Sequence, residues 1–494
     1  MSSKLISNTL IKFRNAAFSR FYCTNRSRKV TLYSRISSLG YPGTSILPEL
    51  ENWVQNGNKV RVSELQYIIR DLRKKNRFTQ ALEVSEWMNK TGICIFSPAE
   101  HAVQLNLIGK VHGFLSAENY FRNLMDNDKN EKTYGALLNC YVTQRQTEKS
   151  ISHWQKMKEL GYASTSLAYS DIMSLYTNLG QYEKIPGVLT EMKDNNVSPD
   201  NFSYRICINS YGERSDLEGI ERVLNEMEHH LGDRMDWNTY AVVANYYIKA
   251  GLSDKANDAL KKSEEKLDMK DGSGYNFLIS LYATLGNKAE VLRLWELEKS
   301  KCKRQINRDY IVILQSLVKL GDLEGADKIL KDWEATGTGY DVRIPNIVVW
   351  GYCEKGLVEK AEALLKEFIE KGKATIPNSW AVIASGYLKK GEMAKAVECM
   401  KSALSVKNKG RKPNPRVIRD ILSWLGDEGK VEDVEAFVAS LSSAIPVNNR
   451  QVYHALLKAH VRSGKDIGGV LEQMKAHNID EDDETKKILS MKLQ

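Results

Sequence analysis

Gly251, Gly286, Gly321, Gly356 and Gly391 are spaced 35 residues apart, four steps running, and Gly464 follows Gly429 at the same spacing. Gly180 belongs to the same series, and one three-residue slip separates Gly391 from Gly429. A fixed period in this range means stacked copies of one supersecondary unit, each burying its neighbour's apolar face, rather than one globular core. Function is then expected along an extended surface and not in a single pocket.

With the recurrent glycine set as position 15, copies begin near Val62, Pro98, Glu131, Ser166, Asn201, Trp237, Gly272, Asn307, Val342, Pro377, Pro415 and Arg450. Position 4 is aromatic in most copies, as in Tyr134, Tyr169, Tyr204, Tyr275, Tyr310 and Trp380, and position 11 is Tyr in Tyr141, Tyr247, Tyr282 and Tyr387. A gap of seven puts both columns on one helical face, which reads as packing core and not as a base-stacking ladder. Glycine at 15 can take the left-handed conformation that ends a helix, and Asn76, Arg145 or Ser215 stands there in other copies. A second helix follows, with a small residue at position 20 (Ala81, Ser150, Ala256, Ala361) and Met88, Met157, Met192 or Met227 at position 27. The pattern predicts an all-α, right-handed superhelical solenoid of about twelve 35-residue helix-turn-helix repeats over residues 62–480. A lead-in with a capping helix is expected over 36–61, and a polar tail over 481–494, where the acidic run Asp480 to Glu484 reads as a solvated face.

The charge is uneven. Residues 1–48 hold eight of the 71 basic residues and no Asp or Glu, so the remainder carries 63 basic against 62 acidic residues. A near-neutral body gives bulk charge no voice in favour of nucleic acid. The first segment is Arg- and Ser-rich, and Ile6, Leu10, Phe13 and Ala17 fall on one helical face, the pattern of an organellar transit peptide. Residues 1–35 are read as a mitochondrial address, a plastid being the alternative, with cleavage after Tyr22. Seven dispersed cysteines form no C-x-x-C pair, and the eight histidines form no H-E-x-x-H or H-x-E pattern, so neither metal nor cofactor is expected. No uncharged apolar stretch is long enough to span a membrane.

The copy from Ser166 to Asp200 has Tyr near its start, Gly at the turn, E-M-K late and P-D at its end. This pattern, in register a dozen times, resembles the pentatricopeptide repeat family, P-class. The resemblance implies an organellar protein that binds single-stranded RNA at about one base per repeat. It also implies that positions 5 and 35 read the base edge, that position 2 sandwiches the base, and that a basic position 13 lies near phosphates. Carried onto this chain, Ser170 with Asp200 is one coherent pair. Asn276 and Asn346 suit position 5 but face Ile306 and Ile376, while Asp271 and Asp341 suit position 35 but face Ala241 and Ile311. Position 2 holds Lys132, Arg308, Arg343 and Arg416 where an aliphatic residue is usual. Lys74, Lys110, Lys249, Lys319, Lys389 and Arg462 are the phosphate candidates, and Glu213, Glu354 and Asp427 interrupt their column.

Intact repeats beside degraded reading positions imply a non-catalytic, RNA-associated solenoid with weak sequence specificity, within a mitochondrial ribosome or an RNA-processing assembly. Its partners would be single-stranded or structured organellar RNA together with ribosomal or other proteins. The alternative is a protein-binding scaffold with little RNA contact. No deaminase pattern and no G-x-x-x-x-G-K-[ST] loop occurs, so no catalytic residue is expected.

Overall fold

The computed structural model describes residues 31–39, 43–268, 270–373, 376–406, 414–444 and 449–490. The expected cleavage after Tyr22, the first 30 residues and the last four lie outside that set. Among the described residues there are 27 α-helices, three short 3-10 turns and no strand. The fold is all-α, as the repeat pattern requires.

Each repeat is a helical hairpin. First helices begin at Val62, Pro98, Glu131, Ser166, Asn201, Trp237, Gly272, Asn307, Arg343, Pro377, Pro415 and Arg450. In Val62–Lys74 the buried residues Leu65, Ile68, Ile69 and Leu72 follow the spacing of one helical face. The turn after it depends on left-handed backbone. Gly180 and Gly251 have φ of 70° and 77°, and Asn76, Arg145 and Ser215 adopt φ of 58°, 57° and 58° in the same place. Gly429, beside the three-residue slip, is extended instead, with φ −70° and ψ 154°.

Packing follows from the columns. Tyr169, Tyr204 and Tyr275 at position 4 are buried, as are Tyr282 and Tyr387 at position 11. Ala81, Ser150, Ala256 and Ala361 at position 20 are completely buried, and so are all four methionines at position 27. A small side chain there lets the second helix approach closely, and the flexible methionine fills the remaining gap.

The chain divides into two compact units, Met1–Arg234 and Met235–Gln494. Within the first, Pro98–His112, Glu131–Thr143, Ser166–Asn178 and Asn201–Glu213 pack each on the next; within the second, the first helices from Trp237–Lys249 to Pro377–Lys390 do the same. Within each unit these first helices thus form a row, and each also packs on the second helix of its own hairpin.

Described residues on either side of the repeats are helical as well. Helix Leu32–Ser38 buries Leu32 and Ile36 in the core of the first hairpin, so packed structure begins inside the segment read as 1–35. Helix Leu47–Gln55, with Pro48 in its first turn, buries Leu50 in the same core. Ile46 N donates to Glu83 Oε2 at 2.8 Å and Gln80 Nε2 to the Thr44 carbonyl at 2.7 Å, tying the lead-in to that hairpin. At the other end, residues expected as a polar tail form helix Asp483–Ser490, which packs on Arg450–Ser463 and buries Thr485 and Ile488. The acidic run is therefore more than a solvated face. Asp482 accepts from Thr485 N at 2.8 Å and from Arg450 Nη1 at 3.2 Å. The hydrogen bonds from Thr485, with His454 and Arg450 nearby, hold its carboxyl down to about 2.

Candidate nucleic-acid interface

Asp200 and Asp271, at position 35 of their repeats, directly precede the next first helix and cap it. Asp200 Oδ1 accepts from Ser203 N at 2.8 Å, and Asp271 Oδ1 from Ser273 N at 3.0 Å. Asp341 accepts from Arg343 N and Nε, both at 3.0 Å, and pairs with Nη2 at 2.6 Å. That guanidinium holds the Asp341 carboxyl below the usual carboxylate range, against a smaller opposing effect of burial. Arg343, placed by the sequence at position 2, is thereby folded back on its own helix end.

Position 5 turns out to be joined to position 35 through a third residue. Ser170, almost fully buried, lies 3.0 Å from Ser203 Oγ, and Ser203 Oγ donates to Asp200 Oδ1 at 2.9 Å. Asp200 Oδ2 accepts from Ser166 Oγ at 3.0 Å. Burial pushes the Asp200 carboxyl up, but the hydrogen bonds from Ser203 and Ser166 outweigh it and hold it low. Ser170 and Asp200, the coherent pair of the sequence, are thus brought together by position 3 of the next repeat.

The same link recurs. Gln66 Nε2 donates to Glu100 Oε1 at 2.7 Å, and Glu100 Oε2 accepts from Ser97 N at 2.7 Å. Asn276 Nδ2 donates to Asp309 Oδ1 at 2.6 Å, and Asp309 Oδ2 accepts from Ile306 N at 2.8 Å. Ile306, unsuited as a reading side chain, still takes part through its backbone. His454 Nε2 lies 3.0 Å from Thr485 Oγ1, which donates to Asp482 Oδ1 at 2.8 Å. A capping-box residue of one helix therefore orients the position-5 side chain of the repeat before it. The sequence reading missed this column because its partner lies in the next repeat; the available signal was Glu100, Ser203, Asp309 and Thr485, each three places after Ser97, Asp200, Ile306 and Asp482.

Two further residues belong beside Ser170. Leu167 and Phe202, at position 2 of consecutive repeats, are 63% and 48% exposed, the apolar pair the family pattern calls for. In contrast, Asn346 Oδ1 and Ser379 Oγ occupy positions 5 and 3 of their repeats and have no hydrogen-bond partner among the described residues.

The phosphate candidates differ among themselves. Lys110 lies 4.2 Å from the Phe78 ring centroid, and burial, with Arg73 adding repulsion, draws its ammonium pKa down. Lys249 lies 4.9 Å from the Tyr246 ring, Lys319 Nζ donates to Thr284 Oγ1 at 2.9 Å, and Lys389 pairs with Glu354 at 2.8 Å. Lys74 is exposed at the end of its helix. Arg462 donates to the Gly426 carbonyl at 2.9 Å and to that of Gly429, stapling the irregular turn at the slip. Its guanidinium serves the fold there.

Among the described residues no group of three or more His, Cys, Asp or Glu is placed to hold a metal ion, and no helix is long and apolar enough to cross a membrane.

Comparison with known proteins agrees with the repeat fold. Residues 164–213 match the model of the PPR repeat family, and residues 132–162, 202–230 and 344–372 match that of the single PPR repeat. A mitochondrial pentatricopeptide repeat-containing protein of Arabidopsis thaliana is 55% identical over 479 residues, 96% of this chain and 97% of that protein. The large ribosomal subunit protein mL101 (rPPR4) of the same plant is 38% identical over 479 residues, 94% of this chain and 97% of that protein. Among solved structures, the pentatricopeptide repeat protein PPR10 from maize is similar with a TM-score of 0.53 at 16% identity, over 90% of this chain. This chain spans 62% of that maize chain, so the likeness carries the fold alone.

Proposed function

The chain belongs to the pentatricopeptide repeat family, and from that premise we propose that it is a non-catalytic, RNA-associated protein of mitochondria with weak sequence reading. The observation that carries this is the contrast between twelve intact hairpins and a single complete base-reading pair. Ser170 and Asp200 are linked through Ser203 and flanked by exposed Leu167 and Phe202. Elsewhere Asn276 and Asn346 lack reading partners, Asp271 faces Ala241, and Asp341 is neutralised by Arg343. A good bidentate base contact discriminates by about 1–3 kcal/mol in DNA readers. One such site cannot select a long target, so backbone and shape contacts would dominate.

Mitochondrial placement accords with the acid-free, Arg- and Ser-rich residues 1–35 and with the mitochondrial relative. By its name mL101 belongs to a large ribosomal subunit, which supports a place in an RNA–protein assembly whose other proteins supply selectivity. A second reading, a protein scaffold with little RNA contact, is favoured by one observation: Glu354 in the phosphate column pairs with Lys389 of the next repeat. Ultraviolet crosslinking in isolated mitochondria, with bound RNA sequenced and co-purifying proteins identified, separates the two. The expected result is ribosomal RNA recovered with ribosomal proteins. Stable protein partners without crosslinked RNA would favour the scaffold, and a footprint on one transcript would point to a specific maturation factor.

A further inference from the structure

Position 11 carries tyrosine in most repeats, and in several its hydroxyl is answered from the repeat before. Tyr141 donates to Glu118 at 2.8 Å, Tyr387 to Glu362 at 2.5 Å, and Tyr352 to Asp327. Each of these carboxylates stands at position 21 of the preceding repeat. Before Tyr282 that position is Asn257, and the link is open. Neither the Tyr282 hydroxyl nor the Asn257 side-chain amide has a hydrogen-bond partner among the described residues. Tyr282 is only 3% exposed, so its ring is fixed by packing.

Both residues line a cleft of about 520 Å³ between the second helices Ser253–Glu265 and Lys288–Lys301. The volume falls within the range of about 300–1,000 Å³ usual for ligand sites. The Tyr282 hydroxyl is not sealed in the way the Trp295 Nε1 is; it lies on the cleft wall, where a ligand atom can reach it. The lining holds four carboxylates, Asp254, Asp258, Glu264 and Glu290, against the cations Lys261 and Arg293. Arg293 is fully occupied: its two terminal nitrogens donate to Glu264 at 2.9 and 2.6 Å, and its Nε to Glu290 at 2.8 Å. Lys261 is held loosely, 3.8 Å from Asp258, with both side chains largely exposed. Asp254 and the open pair Tyr282 and Asn257 therefore face a cleft of net negative charge.

We propose that this cleft receives an arginine side chain of a neighbouring protein, its guanidinium donating to the Tyr282 hydroxyl, the Asn257 carbonyl oxygen and the Asp254 carboxylate. The inference rests on the assembly reading above and adds to it a surface and a class of partner. The chemistry selects the occupant. A guanidinium is planar and always charged, with five donors and no acceptor, and it is less strongly hydrated than a lysine ammonium. An RNA phosphate would meet like charge here, and an aliphatic side chain would desolvate the hydroxyl and amide without pairing them. Arginine is also enriched among the few residues that dominate protein interfaces.

The test uses the full chain recovered with its assembly from isolated mitochondria, and a crosslinker that joins lysine amines. Lys261, its side chain 71% exposed at the cleft, is expected to crosslink to a partner segment that contains arginine. A synthetic peptide of that segment should bind the purified chain. Citrulline in place of its arginine, which keeps the shape and removes the charge, should weaken binding by at least about tenfold, and Tyr282→Phe by about tenfold. The Tyr282 hydroxyl has no partner to lose, so Tyr282→Phe should keep the wild-type thermal melt. Tyr352→Phe, which abandons Asp327, should lower it. Partner proteins crosslinked elsewhere, with none at Lys261, overturn the arginine site and leave the assembly reading standing. So does a peptide whose affinity neither citrulline nor Tyr282→Phe changes. Recovery of the wild-type chain without any stable protein partner overturns both.

Discussion

Trp295→Ala is expected to destabilise the second unit by about 3–5 kcal/mol, the largest effect of any single truncation considered for this chain. Trp295 sits in Lys288–Lys301, is 1% exposed, and meets the Tyr310 ring edge-on at a centroid distance of 5.4 Å. It therefore fills the seam between one hairpin and the next, and truncation leaves a cavity that two helices cannot both close. In a repeat array, stability is a sum of hairpin terms and nearest-neighbour seams, so the damage should be local in extent though large in size. Hydrogen exchange is the suitable measurement: amides of the hairpins beginning at Gly272 and Asn307 should exchange faster by orders of magnitude, and those of the first hairpins should not change. Trp295→Phe should cost far less. The indole Nε1 is buried without a partner, and phenyl removes that unsatisfied donor while keeping most of the contact area.

Glu298→Gln is expected to raise stability at pH 8.5 by about 5 kcal/mol and to change it little at pH 4. Glu298 lies one turn beyond Trp295, is 1% exposed, and its Oε2 has no partner among the described residues. Burial, and then the charge of Asp309, push its carboxyl up to about 8, with Arg308 a minor opposing influence. The folded pKa thus lies above the unfolded value of about 4.3. Between those two values the folded chain holds a proton that the unfolded chain has released, so stability falls as pH rises through this window. Asp171, pushed to about 7 by burial against the hydrogen bond from Asn139, adds a smaller change of the same sign. Urea denaturation of wild type and Glu298→Gln from pH 4 to 8.5 reads the difference directly; parallel curves for the two proteins would show that Glu298 is ionised in the fold.

The hairpins were legible in the sequence because their requirements are local. A helix that must end in left-handed backbone selects glycine, and the copies lacking it accept the same strain with Asn76, Arg145 or Ser215. Columns of Tyr, Ala and Met repeat because every seam has the same shape. The interface was less legible, since its residues have two duties. Asp200 and Asp271 look like base readers and are helix caps first. Asp309 and Ser203 look like ordinary first-turn residues and orient side chains in the preceding repeat. Arg462 fits the phosphate column by position, yet the slip at Gly429 leaves carbonyls that its guanidinium must satisfy. The tail was misjudged because its acidic residues conceal a helix whose buried pair, Thr485 and Ile488, is only three residues apart.

RNA affinity as a function of salt and of sequence tests the central claim most directly. The purified chain should be titrated against one mitochondrial RNA and scrambled versions of it. Lys74, Lys110, Lys249, Lys319 and Lys389, each meeting one phosphate, give an expected slope of log K on log salt of about −3.5. The affinities of native and scrambled RNA should agree within about tenfold at physiological salt, the reach of one reading pair. A nanomolar preference for one sequence over its scrambled forms, or no salt-sensitive binding at all, would contradict it.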